Sequence, residues 1–290
     1  MTQSATDSFV AHRNLLFTVA YEMLGSAADA EDVLQETWLR WAAVDQDDVR
    51  DPRAYLVRIT TRLSLNRLRT VRRQRETYVG PWLPEPLLTT PDVAEDVELA
   101  DSVSLAMLHV LETLTPSERA VFVLREVFDL PYDDIAAALD KSSSAVRQLA
   151  HRARSHVEAR QPRIAVSRRD RDAVVERFFE AVTTGDIQGL MDVLAPDVVL
   201  VTDGGGKRKA ALRPILGRDK VVRFMQGQAD PEATAELRSA NGGPALAVVI
   251  HGQIDTLVTF LVEDGLVTGM YAVRNPEKLH HLGRPITLAR

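Results

Sequence analysis

Seven arginines and no acid stand between Arg58 and Arg75, in RITTRLSLNRLRTVRRQR. Guanidinium groups pair with phosphate oxygens and release the counterions condensed on a nucleic-acid backbone, so the run points to phosphate contact. A solvated helical face is the plain alternative, and a membrane-surface helix is disfavoured because the stripe lacks bulky aromatics for insertion. On this stretch Tyr55, Arg58, Thr60, Thr61, Arg62, Asn66, Arg67 and Arg69 are placed to meet bases and phosphates. A second basic cluster, KSSSAVRQLAHRAR at 141–154, follows a short small-residue segment. Arg147 and Gln148 are types that bond base edges in a major groove, while Lys141 and Arg154 suit phosphates. Ser143, Ser144, His151 and Arg152 complete that set, with capping or core packing as the alternative for His151.

A third set, Asp203, His251 and Asp255, has the types an acid–base pair needs, but its spacing proves nothing. His251 lies in a strand-like run and reads as a structural histidine. His280 and His281 are adjacent rather than four apart, so no zinc site is expected, and no cofactor is called for.

The elements that must position these residues follow from periodicity. DAEDVLQETWLRW puts apolar or small residues at 30, 33, 34, 37, 38 and 41, one helical face, with Asp32, Gln35, Glu36 and Arg40 on the other side. Asp51 and Pro52 cap the helix that carries the arginines, whose stripe is Leu56, Ile59, Leu63 and Leu68. TTPDVAEDVELADSVSLAMLHVLETL reads as one acidic-started helix, and Thr115, Pro116 and Glu118 form the N-terminal box of the next. Residues 133–155 read as a helix-turn-helix, with Ile135, Ala136 and Leu139 inward and the second helix capped by Ser143 or Ser144. RQPRIAVSRR at 160–169 marks a boundary. Beyond it a helix and several β-rich runs with Asp-Gly turns predict an antiparallel α+β domain.

With 290 residues the chain is long enough for two or three domains of roughly 100–150 residues. Cysteine is absent, no apolar run reaches the ~20 residues of a span, and no secretory segment opens the chain, so a cytoplasmic protein is expected. The net charge of −6 is blocked: residues 76–140 hold 2 basic and 14 acidic groups, residues 141–169 hold 8 and 1. Between the basic regions lies PWLPEP at 81–86, three prolines around a tryptophan, which cannot be helix interior or central strand. DGGGK at 203–207 and NPEKL at 275–279 read locally as chain-reversing turns.

Three of these stretches, in order across residues 8–160, resemble an extracytoplasmic-function (ECF) sigma factor. DAEDVLQETWLRW resembles region 2.2, which implies that Asp29, Asp32, Gln35, Glu36 and Arg40 dock on the β′ clamp of RNA polymerase. RAYLVRITTRLSLNRLR resembles regions 2.3–2.4, which capture and melt the −10 element. LTPSERAVFVLREVFDLPYDDIAAALDKSSSAVRQLAHRAR resembles region 4, which binds the −35 element. WLPEP, DGGGK and NPEKL together resemble the ECF subgroup with a fused SnoaL-like domain of NTF2-like fold, thought to modulate the sigma core in cis. That resemblance implies an interdomain contact made by Trp82, Leu83, Pro84, Glu85, Pro86, Asp203, Gly204, Gly205, Gly206, Lys207, Asn275, Pro276, Lys278 and Leu279.

The expected chain is therefore multidomain. Two all-α sigma domains, a region 2 helical bundle at 8–75 and a region 4 helix-turn-helix at 95–160, flank a Pro-containing linker at 76–94. An α+β SnoaL-like, NTF2-like cone follows at 165–290. Expected partners are core RNA polymerase (β′ clamp and β flap), promoter DNA and a small ligand in the cone, with no membrane. A one-component, ligand-responsive helix-turn-helix regulator is the alternative, but it leaves DAEDVLQETWLRW and the arginine run unexplained. A cyclase-like enzyme with an attached DNA-binding segment leaves still more.

Overall fold

Capping residues decide where the helices begin. Ser26, Thr115, Ser142 and Ser167 each accept a bond from the backbone N–H three residues on, and Asp51 does the same for Ala54 at 3.0 Å. Thr115 and Glu118 close a reciprocal capping box with Pro116 at the first helical position. In the computed structural model the helices are α1 (Gln3–Leu24), α2 (Ala27–Ala42), α3 (Pro52–Arg75), α4 (Val97–Ser102), α5 (Leu105–Leu111) and α6 (Pro116–Phe122). A π-helical turn at Val123–Val127 extends α6, and α7 (Tyr132–Leu139) and α8 (Ser143–Glu158) follow. Then come α9 (Arg168–Thr184), α10 (Ile187–Val193), β1 (Leu194–Asp203), β2 (Ile215–Leu216) and α11 (Arg218–Gln226). Strands β3 (Thr234–Ala240), β4 (Gly243–Ile250), β5 (Gln253–Glu263) and β6 (Leu266–Val273) precede the short α12 (Pro276–Leu279).

The structure describes residues 3–45, 48–75, 77–90, 93, 96–160, 167–228, 230–282 and 285–289. Residues 161–166 of the boundary stretch, the side chains of Arg72 and Arg73, and Pro91, Asp92, Ala94 and Glu95 of the acidic helix start lie outside the described residues. Among the described residues no helix is long and apolar enough to cross a membrane.

Chain contacts divide the molecule into two units that alternate along the sequence: 1–76 with 110–160 and 287–290, and 77–109 with 161–286. In the first unit α1, α2 and α3 form a bundle. Ala30, Val33, Leu34, Thr37 and Trp41 of α2 are buried, and the Trp41 indole N–H bonds the Ala5 carbonyl at 2.9 Å. Helices α7 and α8 form the helix-turn-helix, which turns at Asp140 in the left-handed region (φ 55°). A charged cluster ties the helices together. Arg119 is fully buried and donates to the Glu22 carbonyl at 2.9 Å and to the Glu112 carboxylate at 2.7 Å. Arg75 reaches the same carboxylate from α3 and donates to the Leu24 carbonyl at 2.8 Å. Burial pulls the Arg119 pKa down to about 10 against the opposing pull of Glu22 and Tyr21.

The second unit is built on a six-stranded sheet of order β2-β1-β6-β5-β4-β3. The sheet is mixed rather than antiparallel throughout, because β1 pairs in parallel with β6. Four strands and one helix separate those partners in sequence, so no hairpin constrains their direction. Alternation sends Val198, Leu200, Leu246, Val258, Val262, Val267 and Met270 to one face, filled by Val175 and Phe178 of α9, Leu190 of α10 and Val221 of α11. Val201, Ala245, Ala247, Leu257 and Val273 point the other way and are covered by Leu83, Leu279 and Leu282. Three local expectations change. The helix expected over 89–114 is split into α4 and α5, where Ser104 restarts the turn by accepting from Met107 N at 3.1 Å. NPEKL is a helical turn capped by Asn275, not a plain chain reversal. His251 lies in the β4–β5 turn with φ 51° and is exposed, not in a strand.

Replacing Arg119 by Met removes a donor from the Glu22 carbonyl and from the half-buried Glu112 carboxylate, which keeps Arg75, and is expected to cost about 1.5–3 kcal/mol. Thr115→Ala removes only the cap, at about 1 kcal/mol. Urea unfolding of the full chain by far-UV circular dichroism checks that order.

Candidate functional site

Helix α8 presents the −35 candidates as one surface. Val146, Leu149, Ala150, Ala153 and Val157 are buried, which turns Ser144, Arg147, Gln148, His151, Arg152 and Arg154 outward, with Lys141 exposed just ahead of the helix. The cap is Ser142, one residue before Ser143 and two before Ser144, because Ser143 already has helical geometry and instead bonds the Asp133 carboxylate. His151 is solvent-facing, which removes its capping and core alternatives. Ion pairs hold the trailing arginines: Arg154 pairs with Glu126 at 2.7 Å and Arg152 with Glu118 at 3.4 Å. Arg147 lies 5.6 Å from the Tyr132 ring centroid.

The α3 candidates divide into three groups. Asn66 and Arg69 are exposed, while Tyr55 and Arg58 are half-buried, with the Arg58 guanidinium 4.8 Å from the Tyr55 ring and that ring 5.8 Å from Trp41. Arg62 and Arg67 already have partners. Arg62 donates to the Ala138 and Ala137 carbonyls at 3.0 and 2.9 Å, capping the end of α7. Arg67 bonds Asp29 at 2.8 Å and Asp32 at 3.4 Å, so two residues expected to dock on polymerase are joined to one expected to meet DNA. The hydrogen bond that Arg67 donates to Asp29 raises the Arg67 pKa further. Thr60 and Thr61 are corrections: both are fully buried, and Thr60 bonds Thr37 at 3.2 Å across the α2–α3 seam. Their positions fall on the bundle-facing side of α3 with Leu56, Val57 and Leu63. On α2, Gln35, Glu36 and Arg40 are exposed around Leu39, itself 68% exposed, and Glu36 and Arg40 pair at 2.7 Å.

In the second unit the three short motifs meet on one carboxylate. Asp203, at the end of β1, has no exposure. Its Oδ2 accepts from the Leu83 backbone N–H at 2.8 Å and from Lys278 Nζ at 2.7 Å. Its Oδ1 accepts from the Tyr78 hydroxyl at 2.5 Å and the Gly205 N–H at 3.1 Å, and its backbone carbonyl accepts from Arg274 and Asn275 N–H. Lys278 also donates to the Leu83 carbonyl at 2.5 Å, and its ammonium lies 3.2 Å from the Trp82 ring centroid. Asn275 donates to the Tyr78 hydroxyl at 2.8 Å while capping α12. Burial and the adjacent carboxylate push the Tyr78 pKa well above its ordinary value. Only glycine fits at 205: φ is 58° and a Cβ would sit 2.4 Å from Asn275 Nδ2. At 204 a Cβ would meet the Arg208 carbonyl at 2.3 Å.

The remaining linker candidates join this contact to different degrees. Leu83, Pro84 and Pro86 are buried, and Trp82 and Glu85 are half-buried. Leu279 is buried, Pro276 and Gly206 are exposed, and Lys207 pairs with Glu277 at the surface. A second anchor was not legible beforehand. Asn241 accepts from the Leu87 N–H at 2.9 Å, donates to the Val103 carbonyl at 2.8 Å, and gives its own N–H to the Leu87 carbonyl. The Asn-Gly pair at 241–242 signals a turn, and nothing in it announces the linker as partner. Tyr78 is also new; its one signal was an aromatic four residues before Trp82 in a polar stretch. The acid–base candidates are held separately: Asp203 as above, Asp255 by Arg274 at 2.8 Å, and exposed His251 beside Glu232 at 3.3 Å. Two hydrogen bonds and the Arg274 and Arg208 charges lower the Asp255 pKa despite its burial.

Three family models match the chain. Residues 9–74 match Sigma-70 region 2, residues 104–157 match Sigma-70, region 4, and residues 175–270 match the SnoaL-like domain. The chain is 38% identical to the ECF RNA polymerase sigma factor SigJ of Mycobacterium tuberculosis, covering 93% of this chain and 91% of that protein. It is 32% identical to the probable ECF RNA polymerase sigma factor SigI of the same species, covering 94% and 93%. The crystal structure of M. tuberculosis SigJ superposes with a TM-score of 0.76 over 95% of this chain and 98% of that one, at 36% identity. The chain belongs to the ECF RNA polymerase sigma factors, in the form that combines regions 2 and 4 with a C-terminal SnoaL-like domain.

Proposed function

We propose that the chain binds core RNA polymerase and directs it to promoters, with control exerted in cis by its SnoaL-like domain. The outward face of α8 carries this reading: Arg147, Gln148 and His151 stand together over a buried apolar stripe, the arrangement a recognition helix needs in a major groove. In this reading the exposed Gln35, Glu36, Leu39 and Arg40 of α2 dock on the β′ clamp and region 4 meets the β flap. Asn66 and Arg69 contact the −10 strand, with Arg62 joining them once it leaves the α7 carbonyls. Arg62 cannot cap α7 and hold a phosphate together, so α3 and α7 separate before promoter engagement. The Asp203 contact holds the linker on the sheet of the second unit and thereby limits the free chain between α3 and the region 4 helices. A catalytic role for the SnoaL-like domain finds no support in the separate partners of Asp203, His251 and Asp255.

In vitro transcription with purified core polymerase, on promoter fragments selected by the holoenzyme from random DNA, tests the reading. Transcripts dependent on the chain support it, whereas no transcript together with no core binding overturns it. Arg147→Ala is expected to weaken promoter binding roughly tenfold to a hundredfold, as for a lost base contact. Arg154→Ala, already neutralised by Glu126, should lower affinity less and with little change in base preference at −35. Asp203→Asn removes the charge that Lys278 needs. Linker amides should lose hydrogen-exchange protection and transcript yield should change, and neither changing would sink the regulatory part.

A further inference from the structure

Two half-buried histidines lie against the linker, and neither belongs to the Asp203 contact. His281 Nε2 donates to the Pro86 carbonyl at 3.1 Å, and its Nδ1 is buried without a hydrogen-bond partner. The Trp82 backbone lies beside the His109 ring, and the ring's Nδ1 is likewise buried and unpartnered. Each Nδ1 therefore fits as the unprotonated nitrogen of a neutral ring, and a proton added there would have no hydrogen-bond acceptor. We infer that linker docking is acid-sensitive, with His109 and His281 as the groups whose protonation releases Trp82–Pro86 from the sheet. The inference rests on the linker contact proposed above and gives it a signal.

The surroundings support the sign. His109 faces the Tyr271 ring at 5.9 Å and the Trp82 backbone, and the charges on that part of the linker, Lys278 and Asp203, neutralise each other. His281 faces His280 at 5.5 Å, which opposes a second positive charge, and Glu85, which favours one. Burial is the largest influence on both rings and holds each below the ordinary histidine value. In a released linker the rings meet water and return toward about 6.5. The docked form thus binds fewer protons. Its stabilisation is complete above that value and is lost as pH falls through it.

Hydrogen exchange on the full chain tests this, with Leu83 and Leu87 amides as reporters and β5 amides as the internal control. Between about pH 7.5 and about pH 5.5, linker protection factors should fall about tenfold or more while β5 is unchanged. In His109→Gln with His281→Gln, where an amide N–H can still donate but cannot titrate, the linker should stay protected at both pH values. Wild-type protection independent of pH, or full pH dependence in the double variant, overturns the inference. If the double variant loses β5 protection, the two single variants decide, each expected to retain about half of the logarithmic drop. Failure of the linker contact itself looks different: unprotected linker amides at the higher pH, or protection unaltered by Asp203→Asn.

Discussion

A carboxylate removed from water is tolerable only when its oxygens are bonded and its charge is matched, and the second unit is arranged around that requirement at Asp203. Lys278 supplies the opposite charge, and Leu83 and Gly205 supply backbone donors. Each donor comes from a different part of the chain. The linker must therefore lie on the sheet, the turn after β1 must be tight enough to need glycine, and α12 must begin at Asn275. Removing any one strands a buried charge. WLPEP, DGGGK and NPEKL are thus three parts of one electrostatic solution.

The linker then takes on a structural duty that its prolines alone do not suggest. An open sheet has two faces, and here helices α9 to α11 cover one while Leu83, Leu279 and Leu282 cover the other. Proline suits the segment because it lies extended and offers few N–H groups to satisfy. The donors that remain at Leu83 and Leu87 are the ones met by Asp203 and Asn241. The folding unit that contains the SnoaL-like domain accordingly starts near residue 77, well before the boundary suggested by composition.

Charge patterning has a similar double use in the first unit. The acidic block at 76–140 is partly spent on the basic groups beside it: Glu112 on Arg75 and Arg119, Glu118 on Arg152, Glu126 on Arg154. What this leaves exposed and without an ion pair among the described residues is the leading part of α8, where Arg147 and Gln148 stand. The same economy restrains α3, whose Arg62 and Arg67 are held by α7 carbonyls and α2 carboxylates. The arginine run is therefore not a uniform phosphate-binding strip. Its exposed portion is a selection made by packing.

By itself the sequence determined helices α2, α3 and α6 to α9, the turn of the helix-turn-helix, the buried stripe of α2 and the capping box at Thr115, because each depends on periods and offsets of a few residues. It also determined the family, through motifs that occur in order. Tertiary structure alone decided that Thr61 is buried, that Arg62 caps α7, that β1 and β6 run parallel, and that Tyr78, Asn241 and His281 hold the linker. The Tyr78–Asp203 bond joins residues 125 positions apart, and the His281–Pro86 bond joins residues 195 apart. Hydrogen bonds at that range obey no local period. They exist because burial on the sheet brings distant polar groups out of water together and obliges them to satisfy one another.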